Sequence, residues 1–149
     1  MAEQSRVYLD TSALFASLWS STGGARLFLK LGEAGAVQLL VSPQVLAEIE
    51  TVLRKKAPEL LGYLALILDR CHVETVPSPG EDILSVCQVH LDHPGDAQVI
   101  AAARGSRTDY FVTLDRKHFV ENQGLAAASP FPIGTPGDFL IWFRHRVSG

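Results

Sequence analysis

VYLDTSALF, residues 7–15, changes its hydrophobic period at a single acid. Val7, Tyr8 and Leu9 form a short apolar run of strand character, and Ser12 to Trp19 reads as helix. Asp10 stands at the junction. The same junction recurs late in the chain, where Tyr110 to Leu114 reads as a strand and Asp115 follows it at once. Strands that are apolar throughout, rather than alternating, are buried on both faces. That is the signature of a parallel sheet.

The stretch between these junctions carries the same alternation. Ala25 to Ala34 reads as helix and Val37 to Val41 as an apolar strand. Ser42-Pro43 supplies a helix cap and a proline at the first helical position, opening a helix to about Lys56. A further helix begins at Pro58, followed by a strand over His72 to Val76, a turn over Pro77 to Gly80 and a helix over Glu81 to Val89. The loop Asp92-His93-Pro94-Gly95 breaks the pattern, and Asp96 opens an alanine-rich helix. After Asp115 come a weak helix, an edge strand over Phe131 to Ile133 and a last helix starting at Thr135-Pro136. Strand alternating with helix predicts an α/β fold with a parallel sheet covered on both faces. Such sheets bind ligands beyond the carboxyl ends of their strands.

With 149 residues, 47% of them hydrophobic, the chain is expected to form one domain over residues 1–149. Its charge of −3 argues against a protein that coats DNA through positive excess. A nuclease remains compatible, because a cation-holding site is itself rich in carboxylates. Cys71 and Cys87 are too far apart for a CxxC motif and sit in apolar surroundings, so buried, reduced thiols are expected. The N-terminal residues lack a signal-like apolar core, and no apolar run reaches the ~18 residues of a membrane span. A soluble, cytoplasmic protein is expected, with no membrane partner.

Four acids are candidates for function. Asp10 and Asp115 each follow a strand, where the alternative role is a helix cap or turn residue. Helix phase separates Glu48 from Glu50. Val45, Ile49 and Val52 form an apolar stripe, and Glu48 lies three after Val45 and four before Val52, beside the buried face. Glu50 stands four before Arg54, an order that favours an exposed ion pair. Asp96 begins its helix as an N-cap, a ligand or both, and Asp92 is near enough to compete or to support it.

Carboxylates gathered at one sheet edge repel one another, and burying them charged is costly without compensation. A divalent cation supplies it. The oxygen donors predict Mg²⁺ or Mn²⁺, one or two ions, bound by Asp10, Glu48, Asp96 and Asp115. His72, His90, His93, His118 and His145 show no zinc-ligand spacing and are expected to be structural or exposed. Two ions ~3.5–4 Å apart would activate water and stabilise the leaving oxygen in phosphodiester hydrolysis.

Four blocks in order, LDTSAL, SPQVLAEIETVL, DHPGDAQVIAAA and DYFVTLDRKHF, together resemble the PIN-domain nucleases, in the branch of toxin components of toxin–antitoxin pairs. The resemblance spans nearly the whole chain. It implies a three-layer α/β/α domain with about five parallel strands, a metal-dependent endoribonuclease acting on RNA, a protein antitoxin partner and a homodimer. It implies Asp10, Glu48, Asp96 and Asp115 as ligands, with Ser12 and Thr113 as supporting hydroxyls, whose alternative roles are capping and strand packing. Some family members carry an extra acid shortly after the last Asp, where this chain has Arg116, Lys117 and His118. Arg116 and Lys117 are candidates to hold RNA phosphate. Arg54, Lys55 and Lys56 form a second candidate patch, whose alternative role is to complement a helix dipole.

Two other classes compete. A catalytically degenerate RNA-binding or regulatory module would keep the fold without turnover. An aspartyl-phosphate phosphatase fits less well, because Ser12 stands where such enzymes usually place a second Asp.

Overall fold

The central strands carry no solvent-facing side, and this determines the layering. In the computed structural model, which describes residues 4–20 and 23–148, Val7, Tyr8 and Leu9 of β1 (Ser5–Leu9) are fully buried. So are Leu39, Leu40 and Val41 of β2 (Val37–Val41), and Phe111 and Val112 of β4 (Tyr110–Val112). Successive strand residues point to opposite faces, so helices must cover both. With β3 (Glu74–Thr75) and β5 (Ile133–Gly134), these strands form a five-stranded, all-parallel sheet in the order β3-β2-β1-β4-β5. The result is the expected three-layer α/β/α architecture.

The chain winds outward from β1 to β3 and then returns to place β4 on the other side of β1. The carboxyl ends of β1 and β4 therefore flank the point where the winding reverses, the usual location of a binding crevice. Tyr8 and Phe111 lie opposite one another and stack with ring centroids 5.3 Å apart, fixing this register.

Helices α1 (Thr11–Trp19), α2 (Gly24–Glu33), α3 (Pro43–Lys56), α4 (Leu61–Arg70), α5 (Glu81–Gln88), α6 (Pro94–Arg104), α7 (Gln123–Ala128) and α8 (Pro136–Ser148) cover the sheet. A short 3₁₀ turn, Pro58–Leu60, precedes α4. The expected cap on α3 is present: Ser42 Oγ accepts the Val45 N–H and is itself held by the Tyr8 hydroxyl at 2.8 Å. None of the described helices is long and apolar enough to cross a membrane. Cys71 and Cys87 are free and buried, as their surroundings predict.

Several boundaries differ from the sequence reading, the edge strand lying at Ile133–Gly134 rather than over Phe131 to Ile133 among them, and three differ for an identifiable physical reason. The strand expected over His72 to Val76 shortens to Glu74–Thr75 because His72 and Val73 close α4. The Val73 N–H reaches the Leu68 carbonyl and the His72 N–H the Asp69 carbonyl, a Schellman cap that puts His72 at φ +52°. Helix α6 opens at Pro94 rather than Asp96, because proline is preorganised for the first helical position and its missing N–H costs nothing there. Strand β4 ends at Val112, so Asp115 does not follow it directly. Side-chain hydroxyls replace the ladder: the Leu114 N–H donates to Ser12 Oγ and the Asp115 N–H to Thr113 Oγ1, both at 3.0 Å.

Candidate functional site

Asp10, Thr11, Ser12, Glu48, Asp96, Val99, Asp115 and Phe119 line one cleft of about 170 Å³ at the carboxyl edge of β1 and β4. The sheet register builds its floor. Leu9 pairs with Val112, so the next residues, Asp10 and Thr113, face each other across the strand ends. Thr113, fully buried, donates its hydroxyl to Asp10 Oδ2 at 2.5 Å. Asp10 Oδ1 accepts from Ser12 Oγ at 2.7 Å and from the Ala13 N–H at 3.0 Å. Asp10 therefore caps α1 and lines the cleft at once. Capping and cleft position, set out as alternatives by the sequence, coincide.

Glu48 comes from the middle of α3. Thr11 Oγ1 donates to its Oε2 at 2.6 Å, and Gln44 Nε2, one turn earlier, to its Oε1 at 2.7 Å. Glu50 points away, exposed, 3.8 Å from Arg54. Asp96 is the third residue of α6. No side-chain hydrogen bond reaches its carboxylate from the described residues, so this acid is not spent on capping. The N-terminus of α6 lies over α3 at Gly95, where a Cβ would stand 3.7 Å from Glu48 Oε1. Asp92 is exposed and does not line the cleft.

Asp115 caps the turn that follows it, accepting the His118 N–H at 3.0 Å. That turn, Arg116–Val120, is a single π-turn in place of the expected weak helix. It brings the His118 imidazole against Asp115, with Nδ1 to Oδ2 at 3.0 Å. His118 is thus part of the acidic cluster rather than a detached structural or exposed side chain.

The carboxylates affect one another electrostatically. Burial raises the Asp10 carboxyl above its ordinary range, the bonds from Thr113, Ala13 and Ser12 oppose this, and the charge of Asp115 adds to it. Burial also raises Asp96, reinforced by Asp115 and Glu48 and opposed by His118 and His93. Among the described residues, no Lys or Arg pairs with any of the four acids. Crowded carboxylates, Asp10 and Asp96 among them raised, with no Lys or Arg partner, fit a divalent cation. Asp96, Asp115 and His118 offer ligand atoms all within 4.8 Å of one another, and Asp10 and Glu48 line the adjoining wall. The volume is below the ~300–1,000 Å³ of a small-molecule pocket, so it suits an ion and the reacting group of a larger substrate lying outside.

Arg116 and Lys117 are exposed beside Asp115. Of the second candidate patch, Arg54 pairs with Glu50, and Lys56 lies over the Phe15 ring at 5.9 Å. Thr11 and Gln44 were missing from the sequence reading, and His118 was read there as structural or exposed and as one of the basic residues after Asp115, not as a partner of the acids. Gln44 had a signal, since it stands four before Glu48 on one helix face. Thr11 and His118 had only their nearness to Asp10 and Asp115.

The sequence profile of the family described as "PIN domain" matches residues 6–117. No curated protein matches the chain. Among solved structures, a chain of the VapBC2 complex of Rickettsia felis, bound to a DNA fragment from its promoter, superposes with a TM-score of 0.67 at 15% identity. That match covers 87% of this chain and 98% of the other. PAE2754 of Pyrobaculum aerophilum superposes with a TM-score of 0.61 at 18% identity, covering 95% and 90%. At these identities the likeness is one of fold.

Proposed function

The chain belongs to the PIN domain family, and from that premise we propose that it is a metal-dependent endoribonuclease whose reaction centre is the acidic cleft. The observation that carries this reading is the convergence of Asp10, Glu48, Asp96 and Asp115, from four separate parts of the chain, on one cleft where, among the described residues, no Lys or Arg pairs with them. In this reading the four acids hold one or two Mg²⁺ or Mn²⁺ ions. Bound there, a divalent cation supplies Lewis acidity and a water acidic enough to yield hydroxide near neutral pH.

The protein's own part is positioning. Thr113 and Ser12 fix both oxygens of Asp10, and Thr11 and Gln44 fix both of Glu48, so neither acid needs to reorganise when charge develops. Arg116 and Lys117 hold flanking phosphates of the RNA outside the cleft. In the net reaction one water adds across a P–O bond, leaving a phosphate monoester on one fragment and a hydroxyl on the other. RNA as the substrate rests on the family.

The fold shared with a chain of the VapBC2 complex supports a protein antitoxin as partner, with this chain as the toxin; a homodimer rests on the family resemblance alone. Purified protein incubated with structured RNA and Mg²⁺ or Mn²⁺ tests the activity. Cleavage that needs the metal and disappears in Asp10→Asn/Asp96→Asn supports it. Cleavage surviving in that double variant refutes the assignment of the cleft, and RNA binding indifferent to chelator without turnover would make the chain a degenerate binding module.

A further inference from the structure

One side chain at the cleft has no part in the positioning just described. His118 Nδ1 stands 3.2 Å from Asp115 Oδ1 and 3.0 Å from Oδ2. Two ligands at neighbouring vertices of an octahedral ion, each about 2.1 Å from it, are separated by about 3.0 Å. The imidazole and the carboxylate are already at that separation, and Asp96 offers a third ligand atom within 4.8 Å of both.

The backbone holds the imidazole in place. In the π-turn the Val120 N–H reaches the Asp115 carbonyl at 3.4 Å, and the Glu121 N–H reaches the Arg116 carbonyl at 2.7 Å. His118 stands three residues after Asp115, on the same side of this turn, and π-turns are frequent at functional sites. Asn122 Nδ2 ties the turn down through the His118 and His90 carbonyls, at 3.1 and 2.9 Å. The His93 ring meets His118 edge-on at 5.1 Å.

We propose that His118 is itself a ligand of the divalent ion, through Nδ1, making Asp96, Asp115 and His118 a mixed oxygen and nitrogen set that favours Mn²⁺ over Mg²⁺. The inference rests on the reading that the cleft holds a divalent cation. Its chemical basis is that imidazole nitrogen binds first-row transition ions in preference to the hard Mg²⁺, for which carboxylate and water are the matched donors. The competing role is that of a neighbour that orients Asp115 by a hydrogen bond without touching the ion.

Pulsed EPR of Mn²⁺ bound to the whole 149-residue chain separates the two roles. Directly coordinated imidazole gives a ¹⁴N coupling, which ¹⁵N-histidine labelling of the unmutated protein must shift. His118→Gln should abolish the coupling and weaken Mn²⁺ on the order of tenfold, while Mg²⁺ binding changes by less than about threefold. Bound Mn²⁺ with no histidine coupling, or a coupling that persists in His118→Gln, overturns the proposal and leaves the cation reading standing. Folded wild-type protein that binds no Mn²⁺ overturns both.

Discussion

Replacing Thr113 by valine removes one hydroxyl and almost no volume, so the response reports polar energetics. Two bonds are lost: the one donated to Asp10 and the one accepted from the Asp115 N–H. A hydrogen bond to a charged group contributes about 1.5–3 kcal/mol. Asp115 is half-buried, and water can replace part of the second bond. With Asp10 ionised, the expected loss is therefore about 2–3 kcal/mol, or roughly 4–12 °C in melting temperature for a chain of this size. The pH dependence is the sharper signature. Because Asp10 has a raised folded pKa, ionising it opposes folding, and its neutral form is the stabler one as pH falls. The Thr113 bond lowers that pKa, so the penalty in Thr113→Val should be largest above the folded pKa of Asp10 and shrink as pH falls through it. Thr113→Ser keeps the hydroxyl and loses one methyl, costing about 1 kcal/mol at every pH. Urea unfolding of the metal-free protein from pH 4.5 to 8 measures both variants. A Thr113→Val penalty that does not change with pH, or that equals the serine penalty throughout, refutes the reasoning.

Asp96 is also raised by burial and by Asp115, so in metal-free protein Asp96→Asn should melt above wild type at neutral pH and converge on it in acid. Adding Mn²⁺ should reverse the order of the two melting temperatures. His72 occupies a left-handed conformation in the cap of α4, so His72→Gly should stabilise by about 0.5–1 kcal/mol in denaturant melts, with no effect on metal binding. Thr135 and Asp138 exchange bonds at the start of α8, with the Thr135 N–H donating to Asp138 Oδ2 and the Asp138 N–H to Thr135 Oγ1. The bond from the Thr135 N–H, helped by the Thr135 side chain and the charge of Arg116, holds the Asp138 carboxyl below its usual range, so Asp138→Ala should cost about 1 kcal/mol at neutral pH, and the loss should fade as pH drops through the depressed folded pKa.

Those effects fall on features that differ in how openly the sequence declares them. Ser42-Pro43 announces the start of α3 because its capping chemistry is local, and the phase of that helix alone separates Glu48 from Glu50. The strands that lead to Asp10 and towards Asp115 are legible because buried parallel strands are apolar throughout. The cap at His72 is not legible, since a histidine in a left-handed conformation carries none of the glycine signal that usually marks such a position. The end of β4 is set by Ser12, more than a hundred residues earlier in the sequence, whose hydroxyl takes the Leu114 N–H that a longer strand would have used. The role of His118 is not legible either, because it has no zinc-ligand spacing, and no residue pattern in Arg116–Val120 distinguishes its π-turn from an ordinary helical one.

Crystals soaked in Mn²⁺ and measured at an anomalous wavelength show whether the four acids form one cation-binding cleft. A peak is expected within coordination distance of Asp96 and Asp115, inside the cleft bounded by Asp10 and Glu48, with its loss in Asp10→Asn/Asp96→Asn. Well-ordered carboxylates with no anomalous peak between them at saturating Mn²⁺, or a peak only elsewhere on the surface, would contradict it.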